Sequence, residues 1–138
     1  MTIRPLIGAV GAALAIATAM PAAAHDLGET VTPHFEKAMP NIPGKTLSAL
    51  IVDYAPGGAS LPHDHAKSAF IFAYVVSGEI ESKVNDGPTQ TYRAGEGWYE
   101  PPGSAHLVSR NASEIKPAKL LAVIVHDSGE KNITTPHE

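Results

Sequence analysis

The chain has 138 residues, a formal net charge of −4 at pH 7 and no cysteine, which makes it one domain whose core needs no crosslinks. Without cysteine there are no disulfides, thiolate nucleophiles or cysteine-held zinc or iron–sulfur sites, so histidine and carboxylates remain as metal ligands. The acidic balance, with no Lys/Arg cluster, lacks the footprint of nucleic-acid or anionic-membrane binding and points to a small-molecule ligand.

Residues 1–24 have the pattern of a secretory signal peptide: Arg4 gives the positive start, Leu6 to Met20 the apolar stretch, and Ala22, Ala23 and Ala24 the small-residue cleavage signature. Cleavage before His25 would export the protein, periplasmic or secreted, with no membrane attachment afterwards. A mature amino terminus at His25 offers an amine and an imidazole to copper, but the next residues add no obvious further ligand. Residues 25–44 form an N-terminal arm rich in proline, with Phe35 and Met39 spaced for one short helical turn. Its apolar residues suit the cover of a sheet edge, and His34 is a surface residue there.

From Thr46 the pattern becomes short β segments divided by turn residues, and residues 45–127 make a barrel domain. Thr46 to Tyr54 is a strand stopped at Pro56-Gly57-Gly58, and Leu61 to His65 is the next. Phe70 to Val76 is apolar on both alternating faces, so both of its sides are expected to be covered: by the arm, a facing sheet or a second subunit. Glu79 to Val84 alternates as a half-exposed strand, Asn85-Asp86-Gly87-Pro88 is a hairpin turn, and Thr89 to Arg93 returns. A strand around His106 to Ser109 and a buried one from Lys119 to His126 complete the set. Residues 128–138 read as a polar tail. About eight strands with close turns and no long helix indicate an all-β barrel or jelly roll.

His63 and His65 are two apart in an extended segment, so their side chains share a face with Cβ atoms about 6.6 Å apart. From there both imidazoles reach one ion at about 2.0 to 2.2 Å. His106 follows the Pro101-Pro102-Gly103 turn and supplies the third imidazole of a metal site. Glu100 precedes that turn and alternates with Trp98. If it faces inward it is a further ligand or a general base; if outward, a solvated edge charge. His126, beside Asp127, is expected on the rim. The ion is one divalent transition metal, with Fe, Ni, Zn, Co and Cu all compatible with imidazole.

These residues resemble the cupin superfamily. Gly57, His63, His65 and Gly78 match its first motif, and Gly95, Pro101, Gly103 and His106 its second, with Arg110 in the asparagine slot and Asn111 one place on. The resemblance spans roughly residues 45 to 126 and implies a double-stranded β-helix. It departs at the motif glutamate, which falls on Ala69, Phe70 or Ile71 depending on the direction of counting. Three histidines alone leave a dication uncompensated, which favours an anionic, chelating substrate. Three-histidine members of that superfamily include iron dioxygenases, so the resemblance allows an oxygenase reading. A metal-assisted isomerase or lyase with Glu100 as base, and a non-enzymatic ligand- or metal-binding barrel, are the alternatives. Twofold association among small barrels of this kind, with the two-faced apolar strand, also implies a homodimer.

Overall fold

The computed structural model describes residues 27–138; the expected signal peptide and His25 lie outside them. The described residues form ten strands and no helix: β1 Glu29–Ala38, β2 Lys45–Tyr54, β3 His63–His65, β4 Phe70–Ser77, β5 Glu79–Val84, β6 Gln90–Arg93, β7 Gly97–Glu100, β8 Ala105–Asn111, β9 Ala118–Asp127 and β10 Thr134–Pro136. They make two five-stranded sheets, β1-β2-β9-β4-β7 and β10-β3-β8-β5-β6. Every pairing is antiparallel. The all-β double-stranded β-helix expected from the sequence is the observed fold.

Two segments differ from expectation. Among its described residues the arm holds no helical turn: Glu29–Ala38 is strand β1, paired along β2, with a bulge at His34, between Pro33 and Phe35. It extends the sheet at its edge, and His34 is exposed there. The tail is not free either. Ile133 and β10 fold back on β3, pairing Thr134 with His65 and Pro136 with His63.

Register arranges the first sheet in transverse rows. On its inner face Glu36, Ser48, Ile124, Ile71 and Glu100 are successive cross-strand neighbours from β1 to β7. Pro33, Leu50, Ala122, Ala73 and Trp98 form the next row. One end of the barrel is solid, packed by Val52, Tyr54, Val75, Ile80, Trp98 and Leu120. Toward the histidine strands the two sheets part around a cavity of about 800 Å³.

On the outer face the same alternation leaves Phe70, Phe72, Tyr74 and Val76 exposed, at 38 to 46%. Strand β4 is thus buried on one side within a single chain. Two glycines set the ends of the elements that carry the site. Gly78 has φ +75 and sits so close to Pro117 and Ala118 that a Cβ would lie 2.7 Å from the Pro117 carbonyl oxygen. Gly103, at φ +71, closes the turn that launches β8.

Candidate metal centre

Strands β3 and β8 pair so that His63 stands opposite His106, and His65 lies two residues along β3 on the same face. One ring nitrogen from each of the three lies within 4.8 Å of the others, so these histidines can hold a metal ion. The turn before His106 is tied to β3: Gly103 N donates to Ala66 O at 3.1 Å, and His65 N to Ser104 O at 2.9 Å. Relative placement of the three rings therefore belongs to the backbone.

Each ring is oriented from behind. His63 Nδ1 lies 2.7 Å from Leu61 O. His65 Nδ1 lies 3.3 Å from both Ile133 O and Thr134 Oγ1. A carbonyl only accepts, so both rings carry their proton on Nδ1 and turn an Nε2 lone pair inward. His106 contacts Ser82 Oγ through Nε2 at 2.8 Å, which leaves Nδ1 facing the site.

Glu100 faces inward with Trp98 and is 2% exposed. Its Oε1 accepts from Trp98 Nε1 at 3.1 Å and lies 3.2 Å from His106 Nδ1. Its Oε2 lies 3.0 Å from His65 Nε2, yet no hydrogen bond satisfies that buried oxygen. In the neutral ring the proton of His65 is on the other nitrogen, so two acceptors face each other. Such a contact is repulsive unless a cation sits between or beside them. The donor set, neutral imidazoles with one carboxylate, suits a transition metal rather than calcium or magnesium.

Electrostatics agree with this set. Burial pushes His106 down to about 4, with Glu100 pulling the other way, and burial likewise lowers His63. Both are neutral at pH 7 and available as ligands. Burial is the largest influence on Glu100 and pushes it up, but the facing His65 and His106 rings, which favour an anion whenever one of them is protonated, more than offset it, so its carboxyl lies below the ordinary value.

Of the positions where the motif glutamate could fall, Phe70 faces out, and Ala69 and Ile71 are both fully buried, with Ile71 on the inner row. Its cross-strand partner is Glu100. The carboxylate thus enters the site from β7, one strand beside its expected position. The displaced asparagine also has a structural cause. Val84 pairs with His106 and Lys83 with Val108, so Leu107 is a bulge that advances the inward register by one. Asn111 then points in and holds Ala55 O at 3.1 Å and Lys116 O at 2.6 Å, while Arg110 pairs with Glu81 at the surface.

Other candidates separate. His126 is 4% exposed, not on the rim, and sits behind Ser48 at 2.8 Å, apart from the three histidines. The support of His65 by Ile133 and Thr134 was missed at the sequence level. Its signal is the β-branched run Ile133-Thr134-Thr135 inside an otherwise polar tail.

Residues 50–124 match the Cupin_2 cupin domain model, and the chain belongs to that family. It is 31% identical over 100 residues to germin-like protein subfamily 2 member 2 of Arabidopsis thaliana, covering 70% of this chain and 44% of that protein. The chain thus spans less than half of that relative's length. Among solved structures, an uncharacterised double-stranded β-helix protein of Klebsiella pneumoniae aligns with a TM-score of 0.62 at 18% identity, over 80% of this chain and 84% of that one. A recombinant oxalate oxidase in complex with glycolate aligns with a TM-score of 0.57 at 25% identity, over 74% and 52% of the two chains.

Proposed function

We propose that this chain is an exported metal-dependent oxidoreductase of the dioxygenase type, acting on a small chelating molecule with a largely apolar body. His63, His65, His106 and Glu100 would hold one divalent transition ion, which would supply chelation of the substrate and activation of O₂. The observation that carries the reading is the unsatisfied Glu100 Oε2 against the His65 Nε2 lone pair. With Glu100 included, a dication keeps one positive charge, so a monoanionic chelating group neutralises the centre. Walls of Leu50, Val52, Ile71, Leu120 and Ile124 around about 800 Å³ give the rest of such a substrate a largely apolar seat. That volume is far more than a two-carbon acid such as glycolate fills.

O₂ uptake by metal-loaded protein, run on a panel of diketones, thiols and phenols, tests the reading. Consumption stoichiometric with substrate supports it. Turnover without O₂ consumption would instead make the ion a Lewis acid and the chain an isomerase or lyase; bound metal with no turnover would leave a binding barrel.

Two further parts of the reading rest on different features. Export rests on the pattern of residues 1–24, and amino-terminal sequencing of protein taken from the periplasm or medium checks it: His25 is the expected first residue. Homodimer formation rests on the outer face of the first sheet, where Phe70, Phe72, Tyr74, Val76 and Tyr99 lie exposed together.

A further inference from the structure

Glu100 closes one end of an inner row; the other end holds Ser48 and Glu36. Both line the cavity that contains the histidines. Three strand spacings separate Ser48 from Glu100, roughly 14 Å along the sheet and less across the barrel. Between them the row presents Ile124 and Ile71, so the path from one polar end to the other is apolar.

Proton bookkeeping at the far end leaves it short of a donor. His126 Nδ1 lies 2.9 Å from the Asp127 carbonyl, so in a neutral ring that nitrogen carries the proton and Nε2 accepts. Ser48 Oγ lies 2.8 Å from Nε2 and 3.2 Å from Glu36 Oε2. Its single proton serves one of them. Given to His126, it leaves Ser48 Oγ and the Glu36 carboxylate as adjacent acceptors on the cavity wall. Ser48 is 5% exposed and its hydroxyl is engaged with His126, whereas Glu36 is exposed and open to a donor from the cavity. The Ser48–Glu36 contact is not needed to hold β1 in place, since β1 and β2 already pair from Glu29–Tyr54 to Ala38–Thr46. Lys131 and His34 also line the cavity, and among the described residues no ion pair joins either to Glu36.

We propose that Glu36 and Ser48 form a second recognition point, which takes a hydrogen-bond donor, best an ammonium, at the end of the substrate opposite its metal-chelating group. This rests on the metal-centred reading above and narrows its substrate class: a chelating oxygen head, an apolar middle, and a basic or hydroxyl-bearing tail.

Three probes separate the two claims by calorimetry on the metal-loaded mature chain: acetohydroxamate, octanohydroxamate, and the ω-amino derivative of octanohydroxamate. All three chelate, and only the last carries an ammonium to the far end. Glu36→Gln is expected to weaken the ω-amino probe about tenfold, the size of one charge-assisted hydrogen bond, and to leave the other two within about twofold. Ser48→Ala, a milder change, is expected to act in the same direction on the same probe alone. If Glu36→Gln alters all long probes alike or none, the recognition point is overturned while acetohydroxamate binding keeps the metal centre. If no hydroxamate binds protein of verified metal content, the chelation reading itself fails and takes this one with it.

Discussion

At the level of single residues, Glu100 is the side chain on which the proposed chemistry turns. Replacing its carboxylate by an amide gives effects of opposite sign on two measurements. Glu100→Gln removes an anionic ligand, so metal affinity in chelator competition is expected to fall on the order of a hundredfold. In the metal-free protein the new amide N–H can donate to the His65 Nε2 lone pair, so denaturant stability is expected to rise by about 1 kcal/mol. A purely structural Glu100 would lower stability instead. His106 sets a pH dependence. Its value of about 4 lies below that of the unfolded chain, so the folded state binds fewer protons; the stability this confers is full above about pH 6.5 and is lost as pH falls toward 4. Roughly 3 kcal/mol is at stake in the metal-free protein, read from urea midpoints across that range, and bound metal should be released over the same interval. The histidines were legible from sequence because a two-residue spacing fixes a shared face in any strand. Glu100 was left with two orientations because burial of β7 depends on its pairing with β4, a contact between residues far apart in the chain. Arg110 and Asn111 exchanged places for a related reason: a one-residue bulge is a property of pairing and leaves no local mark.

Among the elements, β10 is the one whose role a sequence reading most undervalues. It adds a strand beyond the matched cupin region, places the Ile133 carbonyl and the Thr134 hydroxyl against His65 Nδ1, and packs Ile133 on Ala69, Ile71 and Ile124. Removing residues 133–138 frees the His65 ring to rotate, and metal affinity is expected to drop about 10- to 100-fold while the ten-residue ladder of β2 with β9 keeps the barrel folded. Chelator competition together with circular dichroism checks both halves; unchanged affinity would make β10 a mere cover. Strand β1 shows the same limit of local pattern. Three prolines and a glycine between residues 33 and 44 favour a loop on propensity, but Pro33 at an edge-strand bulge needs no ladder partner for its missing N–H, so the segment pairs regardless. Strands rich in β-branched and aromatic residues, β4 and β9, were plain from the sequence because they are short and bounded by turn residues.

For the molecule as a whole, the outer face of the first sheet and the metal centre are separate questions with separate measurements. The face presents Phe72 at 46% and Tyr99 at 64% exposure on adjacent strands. An exposed apolar sheet of this kind is the surface a second copy would cover, so sedimentation at low micromolar concentration is expected to give a dimer and Phe72→Asp a folded monomer. A parent monomer would leave that face to some other partner. Barrel class was readable because turn spacing and alternation repeat along the chain, whereas the cavity is a product of how the two sheets part and has no signature in order of residues. The central claim, that His63, His65, His106 and Glu100 hold a transition metal, is met most directly by elemental analysis of mature protein purified from its own compartment, beside the variant carrying His63→Ala, His65→Ala and His106→Ala. About one ion per chain in the parent and none in a folded variant is the expected result; a metal-free parent, or equal metal in both, would contradict it.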